Sequence, residues 1–249
     1  MESNSLIEWH DLVGGRFVAK VNRFAAVVEV SGIEHYVHVP NPTPAAELLK
    51  LGADVLLIKA PPHRKTEYRL LAARTGSLWA TLDTSIPNRV FREGIRHSLL
   101  KEFVGRTVKK ENVRLGKSII DFQLSGRKTT YVEVKSCTMV VDGTALFPDA
   151  VTERGSRHLR ELEAAVAGGA QAFMVWVIQR PDAERLKPYQ MRDPKFAAEL
   201  VRARDVGVGL LAYRCSFDTH NLRLVGQVPV ITEWLRLCAP RSQPLQRTG

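Results

Sequence analysis

The sequence predicts an α/β protein in two parts. A small all-β domain with an OB-like barrel occupies residues 1 to 83, and a mixed sheet with flanking helices occupies 84 to 239. Three observations carry this reading. About five short runs of Val, Ile, Leu and Tyr crowd the first 80 or so residues, separated by turn residues. From about residue 85, helical and strand patterns alternate. Within that half, "AFMVWVIQ" is a continuous apolar run, as a parallel strand buried on both faces requires.

The elements follow in order. "RFVAKVNRFAAVVEV" is β-rich, "SGIE" is a turn, and "HYVHVP", "ADVLLIKA", "EYRLLAAR" and "LWATLD" read as further strands. "PNPTPAA" and the basic "KAPPHRK" read as loops. "SIPNRVFREGIRHSLLKEFV" reads as a helix over 86 to 104, with Ser85 as its cap and Pro87 in its first turn. A hairpin follows in "KSIIDFQLSGRKTTYVEVKSC", and "TMVVDGTALF" is a third strand. "DAVTERGSRHLRELEAAVAGG" is a helix that stops at a glycine pair, "DPKFAAELVRARDVG" is another helix, and "VGLLAYRCSF" is a strand. The tail over 240 to 249 is read as disordered.

The chain has 249 residues, 45% apolar and 25% charged, the balance of a soluble globular protein. No long uncharged apolar run suggests a membrane span, and the N-terminus lacks the pattern of a signal peptide. Three distant cysteines without CxxC or Cys/His spacing fit a reducing cytoplasm and argue against structural zinc. The net charge of +10 favours a polyanionic partner, DNA or RNA foremost. The sequence leaves the oligomeric state open, a homodimer included.

Charge inside a predicted strand is the chemical signal. Glu133 and Lys135 are two apart and share a face. Folding the hairpin about Arg127 sets Asp121 opposite Glu133 and Ile119 opposite Lys135. Two opposed carboxylates repel unless a cation lies between them, and oxygen-rich sites of this kind suit Mg²⁺ or Mn²⁺. On the preceding helix, Ile86, Val90, Gly94, Leu100 and Val104 form one stripe. Glu93 falls inside it, with His97 one turn later. Glu93 is therefore a candidate third metal ligand. Asp121, Glu133, Lys135 and Glu93 together would suit metal-assisted phosphodiester hydrolysis. The same charges would also suit a solvated sheet face, with Glu93 and His97 paired across the helix.

Asp121 followed by "VEVKS" resembles the PD-(D/E)xK, restriction-endonuclease-like nuclease signature. "YVEVKSCTMVVDGTALFPDAVTERGSRHLREL" resembles the sugar fermentation stimulation protein A family. "TSIPNRV", "GKSIIDF", "QRPDAERLKP" and "LLAYRC" match that family in order and spacing. The resemblance implies an OB-like domain joined to a restriction-endonuclease-like α/β domain. It also implies DNA binding, a link to regulation of sugar (maltose) metabolism, and kinship with DNA/RNA nucleases. Asp121, Glu133 and Lys135 match its acid, acid and lysine, and Glu93 matches the acidic position in the helix after "PNR". Two departures stand out: "NPTPAA" replaces an "NTGSM"-like loop, and Ile119 replaces an arginine beside Asp121. The resemblance thus allows two functions, a metal-dependent nuclease or a DNA-binding regulator with little or no catalysis.

For nucleic acid, the helix beginning near Ala150 buries Val151, Gly155, Leu159, Leu162 and Val166 by its periodicity. Thr152, Arg154, Arg157 and His158 lie near its start and are the expected phosphate contacts. In the barrel, Arg23 beside Phe24 suits a stacking groove, and Arg64 and Lys65 suit non-specific phosphate contact.

Overall fold

The computed structural model describes residues 5–41 and 47–232. The predicted disordered tail, Cys238 and most of "PNPTPAA" lie outside the described residues.

The first strand, β1 (Ser5–Glu8), leaves the barrel and pairs with the last strand of the second domain. The barrel begins at β2 (Leu12–Asn22) and continues through β3 (Ala25–Val30), β4 (Ile33–His38), β5 (Asp54–Lys59) and β6 (Tyr68–Thr75). β2 pairs with β3 and β5, β3 with β4, and β5 with β6. A short parallel contact, Val37 opposite Tyr68, joins β4 to β6 and closes five strands into a barrel. β7 (Leu78–Thr81) adds to β6 outside that circuit. Phe17, Val28, Val37, Leu57 and Leu70 fill the interior. The predicted turn at Ser31–Gly32 has φ of +52° and +81°, as a two-residue hairpin requires. At Gly15 a Cβ would lie 2.6 Å from Val28 Cγ1, so only glycine lets β2 cross β3 so closely.

The second domain opens with α1 (Ile86–Arg96). The predicted helix to 104 is cut short here. Ser98 takes φ +53°, and the chain turns back so that Leu100 packs on Gly94. A Cβ on Gly94 would sit 2.9 Å from Leu100 Cγ, so this glycine makes the reversal possible. Val104, expected in the buried stripe, is exposed. Ser85 makes no side-chain cap; its hydroxyl donates to Asp83 Oδ1 at 2.7 Å instead.

Next come β8 (Val108–Leu115), β9 (Ser118–Leu124) and β10 (Thr130–Cys137). The expected third strand is a small hairpin of β11 (Val140–Val141) and β12 (Thr144–Phe147). Then follow α2 (Glu153–Ala167), β13 (Gln171–Ile178), β14 (Arg185–Pro188), α3 (Pro194–Val206), β15 (Gly209–Phe217) and β16 (Asn221–Val228). β11, β12 and β14 form a separate three-stranded sheet. The main sheet runs β1-β16-β15-β13-β10-β9-β8. Its centre, β10, β13 and β15, is parallel, as the apolar run in β13 predicts.

One face of this sheet packs against α1 through Phe91, Ile95, Phe122, Val134 and Val175, with barrel residues Leu71 and Ala72 in the same cluster. The other face packs α2 and α3 through Leu159, Leu162, Met174, Trp176 and Phe196. β8 escaped sequence detection because "VKKENVRL" is an edge strand whose charges face water. Cys137 and Cys215 are free and buried, and burial pushes both thiols up to about 12. No described helix is long and apolar enough to cross a membrane.

The turn before β16 carries an acid-sensitive feature. Asp218 accepts the backbone N–H groups of His220 (3.1 Å) and Asn221 (2.7 Å) and pairs with Arg223. Burial pushes its carboxyl up, but these donors outweigh it and hold the pKa at about 2. A depressed folded pKa adds stability above the ordinary aspartate value of about 3.9, which is lost as pH falls from there towards 2. Because this side chain is 43% exposed, solvent screening limits the effect to about 1 kcal/mol. Asp218→Asn should lower stability at pH 5 by that amount and change it little at pH 2, read by urea unfolding.

Candidate active site

The hairpin adopts the predicted register as far as its ladder runs, but the predicted pairing of Ile119 with Lys135 does not form. Tyr131 pairs with Gln123 and Val132 with Phe122, so Asp121 and Glu133 come next in line. The ladder stops there. β10 continues alongside β13 as far as Cys137 opposite Ile178, while β9 parts from it. Asp121 fills the gap: its Oδ2 accepts the Val134 N–H at 2.8 Å, and its Oδ1 accepts Asn88 Nδ2 at 3.0 Å. The opening lies towards the carboxyl end of a central parallel strand, where open α/β sheets commonly place their ligands.

Glu133 is only 2% exposed. Its Oε1 accepts from Lys135 Nζ and from His158 Nδ1, both at 2.5 Å. Its Oε2 is buried with no hydrogen-bond partner. The two carboxyls are pushed apart. Burial raises Asp121, and the Glu133 charge raises it further, against Val134, Asn88 and Lys135. Burial would raise Glu133 too, but Lys135 and His158 outweigh it and hold it below the usual carboxylate range. Glu133 is therefore the firm anion, and Asp121 is the acid whose ionisation gains most from an added cation. The donor set fits Mg²⁺ or Mn²⁺. It offers two hard carboxylates, one with an unpartnered buried oxygen, and Mg²⁺ keeps several waters while binding only one or two carboxylates.

Glu93 is not gathered with them. It pairs with Arg96 at 3.2 Å and His97 at 3.7 Å across the last turn of α1. Among the described residues, no group of three His, Cys, Asp or Glu is arranged to hold a metal ion. The side chain that α1 delivers is Asn88. The signal for it was its spacing: Asn88, Phe91 and Ile95 share one helix face, and the last two are buried.

The expected phosphate contacts divide. His158, expected to contact phosphate, is instead 1% exposed and holds Glu133. Its Nε2 accepts from Arg154 Nε at 3.3 Å, which leaves the proton on Nδ1, the atom that donates to Glu133. Val151, expected in the buried stripe, is 70% exposed, and the α2 face turns to Ser156, His158 and Leu159 instead. Thr152 caps α2 by accepting from Gly155 N at 3.0 Å. Arg157 is exposed on α2, and Arg64 and Lys65 are exposed on their loop. Arg23, Thr152 and Arg154, distant in sequence, line one cleft of about 480 Å³ between barrel and sheet. Gln179 ties the two domains together beside it: Thr81 Oγ1 donates to its Oε1 at 2.5 Å, and its Nε2 donates to Ser136 Oγ at 2.7 Å.

His158→Ala removes a buried bond to a charged group and should cost about 1.5–3 kcal/mol in urea unfolding. His158→Gln, whose amide can donate to Glu133, should recover part of that loss.

Comparison with known proteins places this geometry among relatives. Residues 85–221 match the model of the sugar fermentation stimulation protein RE domain, and residues 18–82 match that of the SfsA N-terminal OB domain. A sugar fermentation stimulation protein homolog of Caldanaerobacter subterraneus subsp. tengcongensis is 39% identical over 222 residues, covering 88% of this chain and 97% of its own. One from Moorella thermoacetica is 39% identical over 224 residues, with the same coverage. The solved structure of Pyrococcus furiosus SfsA in complex with Ca²⁺ superposes with a TM-score of 0.87 at 27% identity, covering 91% of this chain and 99% of that one. With both domain models matched in order and the curated relatives covered almost end to end, this chain belongs to the sugar fermentation stimulation protein family.

Proposed function

We propose that this protein is a divalent-metal-dependent nuclease that hydrolyses phosphodiester bonds in DNA or RNA. One observation carries the reading: Asp121, Glu133 and Lys135 converge where β9 parts from β10, and Glu133 keeps a buried oxygen without a partner. Asp121 and Glu133 would hold Mg²⁺ or Mn²⁺. Such an ion, when bound, supplies Lewis-acid polarisation of a phosphodiester and an acidified water. The solved relative was described with Ca²⁺, another oxygen-preferring divalent cation.

The chain's own groups prepare the site. Asn88 Nδ2 and the Val134 N–H fix both Asp121 oxygens. His158, held in one tautomer by Arg154, fixes Glu133. Lys135, whose Nζ donates to Glu133 Oε1, would orient the attacking water and stabilise negative charge developing on the phosphoryl oxygens. The +10 net charge draws the polyanion to the surface.

A second reading is a DNA-binding regulator of sugar (maltose) metabolism on the same scaffold. It is favoured by Glu93 turning to Arg96 and His97, which leaves two acids at the opening among the described residues. Labelled single- and double-stranded DNA and RNA, incubated with Mg²⁺, Mn²⁺ or EDTA, separate the two. Metal-dependent cutting by the wild type, lost in Lys135→Ala, supports the nuclease. Salt-sensitive binding with no cutting of any substrate supports the regulator.

A further inference from the structure

We propose that the cleft between the barrel and the α/β domain is a subsite for one unpaired nucleotide of a single-stranded nucleic acid. The proposal rests on the nucleic-acid reading above and names the form of strand that the site takes. The barrel contributes Arg23 and Asn41 to the cleft; the α/β domain contributes Thr84, the segment from Ser136 to Met139, that from Leu146 to Thr152, and Arg154. Its size, about 480 Å³, lies in the range of pockets for single small ligands.

The lining is of two chemical kinds. Met139, Leu146, Phe147 and Ala150 offer apolar contact, while Arg23 and Arg154 are exposed cations. A duplex presents phosphates outward and keeps its base faces stacked inside, so it could satisfy the arginines but not the apolar wall. An unpaired nucleotide satisfies both, with its base against the apolar wall and its phosphates at the cations. Asp149, also in the lining, repels phosphate and can accept a base N–H, which favours the same orientation.

Two further contacts support the assignment. The Arg23 guanidinium lies 4.9 Å from the centroid of the Phe24 ring, and Phe24 is 47% exposed. A cation stacked on an open aromatic beside the cleft is a platform for a neighbouring base. On the other side, Arg154 donates to His158, which donates to Glu133. Cys137, in the lining, lies on the same face of β10 as Glu133 and Lys135. A strand seated in the cleft is therefore one side chain away from the proposed reacting centre.

The test is fluorescence anisotropy on the full chain in EDTA, with one labelled oligonucleotide as single-stranded DNA, as RNA and as the matched DNA duplex. AMP serves as competitor. Both single strands should bind about ten-fold or more tightly than the duplex. Arg23→Ala, on an exposed turn, and Arg154→Ala should each weaken single-strand binding and flatten its salt slope by about 0.7. Ala150→Trp, with native circular dichroism, should fill the cleft and weaken single-strand binding about ten-fold while leaving the duplex unchanged. Equal affinity for duplex and single strands would overturn the proposal. So would wild-type affinity in Ala150→Trp, or AMP binding as tightly as the oligonucleotide. Because EDTA removes catalysis, single-strand preference without any metal-dependent cutting would refute the nuclease reading alone. Metal-dependent cutting with equal duplex binding would refute the subsite alone.

Discussion

Lys135→Ala is expected to lower the proposed phosphodiester cleavage by about two to three orders of magnitude, the scale set by losing one preorganised charge-stabilising donor. It is also expected to destabilise the fold by up to about 3–5 kcal/mol, because it strands a buried carboxylate. The Lys135 side chain is 15% exposed and Glu133 only 2%, so water cannot replace the missing ammonium. His158 remains as a donor to Glu133 Oε1, and Oε2 gains nothing. The two effects have different cures, and that separates them. Pairing Lys135→Met with Glu133→Gln removes both charges and should restore most of the stability while leaving cleavage absent. A thermodynamic cycle over the two single variants and the double should show coupling well above the few tenths of a kcal/mol typical of independent sites. If Asp121 and Glu133 hold a divalent cation, Mn²⁺ should raise the melting temperature of Lys135→Ala more than that of the wild type, since the variant has more uncompensated negative charge. An unchanged melting temperature in both would count against a metal at these two carboxylates.

The second large effect is expected far from any charge. Phe91→Ala should cost about 3–5 kcal/mol. Phe91 is 1% exposed, with its ring centroid 5.4 Å from that of Phe103 and 4.9 Å from that of Phe122. Those contacts fix α1 on the sheet, and α1 carries Asn88 to Asp121. At about 2–4 °C per kcal/mol for a chain of this size, the melting temperature should fall on the order of 10 °C. Loss of α1 packing also loosens Asp121, so cleavage by the folded fraction should fall as well. Phe91→Leu, which keeps most of the apolar volume, should recover most of the stability. A variant as stable as the wild type would mean that the aromatic cluster does not anchor α1.

Much of the centre was legible because local pattern encodes it. The hairpin register followed from a turn about Arg127 and the strict two-residue period of the strands, so Asp121 and Glu133 could be brought side by side from sequence. Glu133 and Lys135 share a face by the same rule, and their hydrogen bond is the direct consequence. The apolar run of β13 announced a strand covered on both faces, and it lies between β10 and β15.

What failed did so where the partner is remote. Asn88 meets Asp121 across 33 residues and His158 meets Glu133 across 25, and neither spacing leaves a periodic trace. Glu93 had the right helix face for the site, but the helix ended three residues later, and its own neighbours Arg96 and His97 took the charge. The reversal at Ser98 depends on Leu100 reaching Gly94, a contact that exists only after the chain has turned.

The sequence by itself determined the five-strand barrel ahead of a mixed sheet with flanking helices, the parallel centre of that sheet and the acid, acid and lysine on one hairpin. These follow from alternation, turn glycines and apolar runs, which record the buried face of each element. Tertiary structure alone decided that β1 crosses to the second sheet, that β9 parts from β10 at Asp121, that His158 serves Glu133, and that Arg23 and Arg154 meet across one cleft. The reason is physical: periodicity states which side of an element is buried, but only packing states what lies against it.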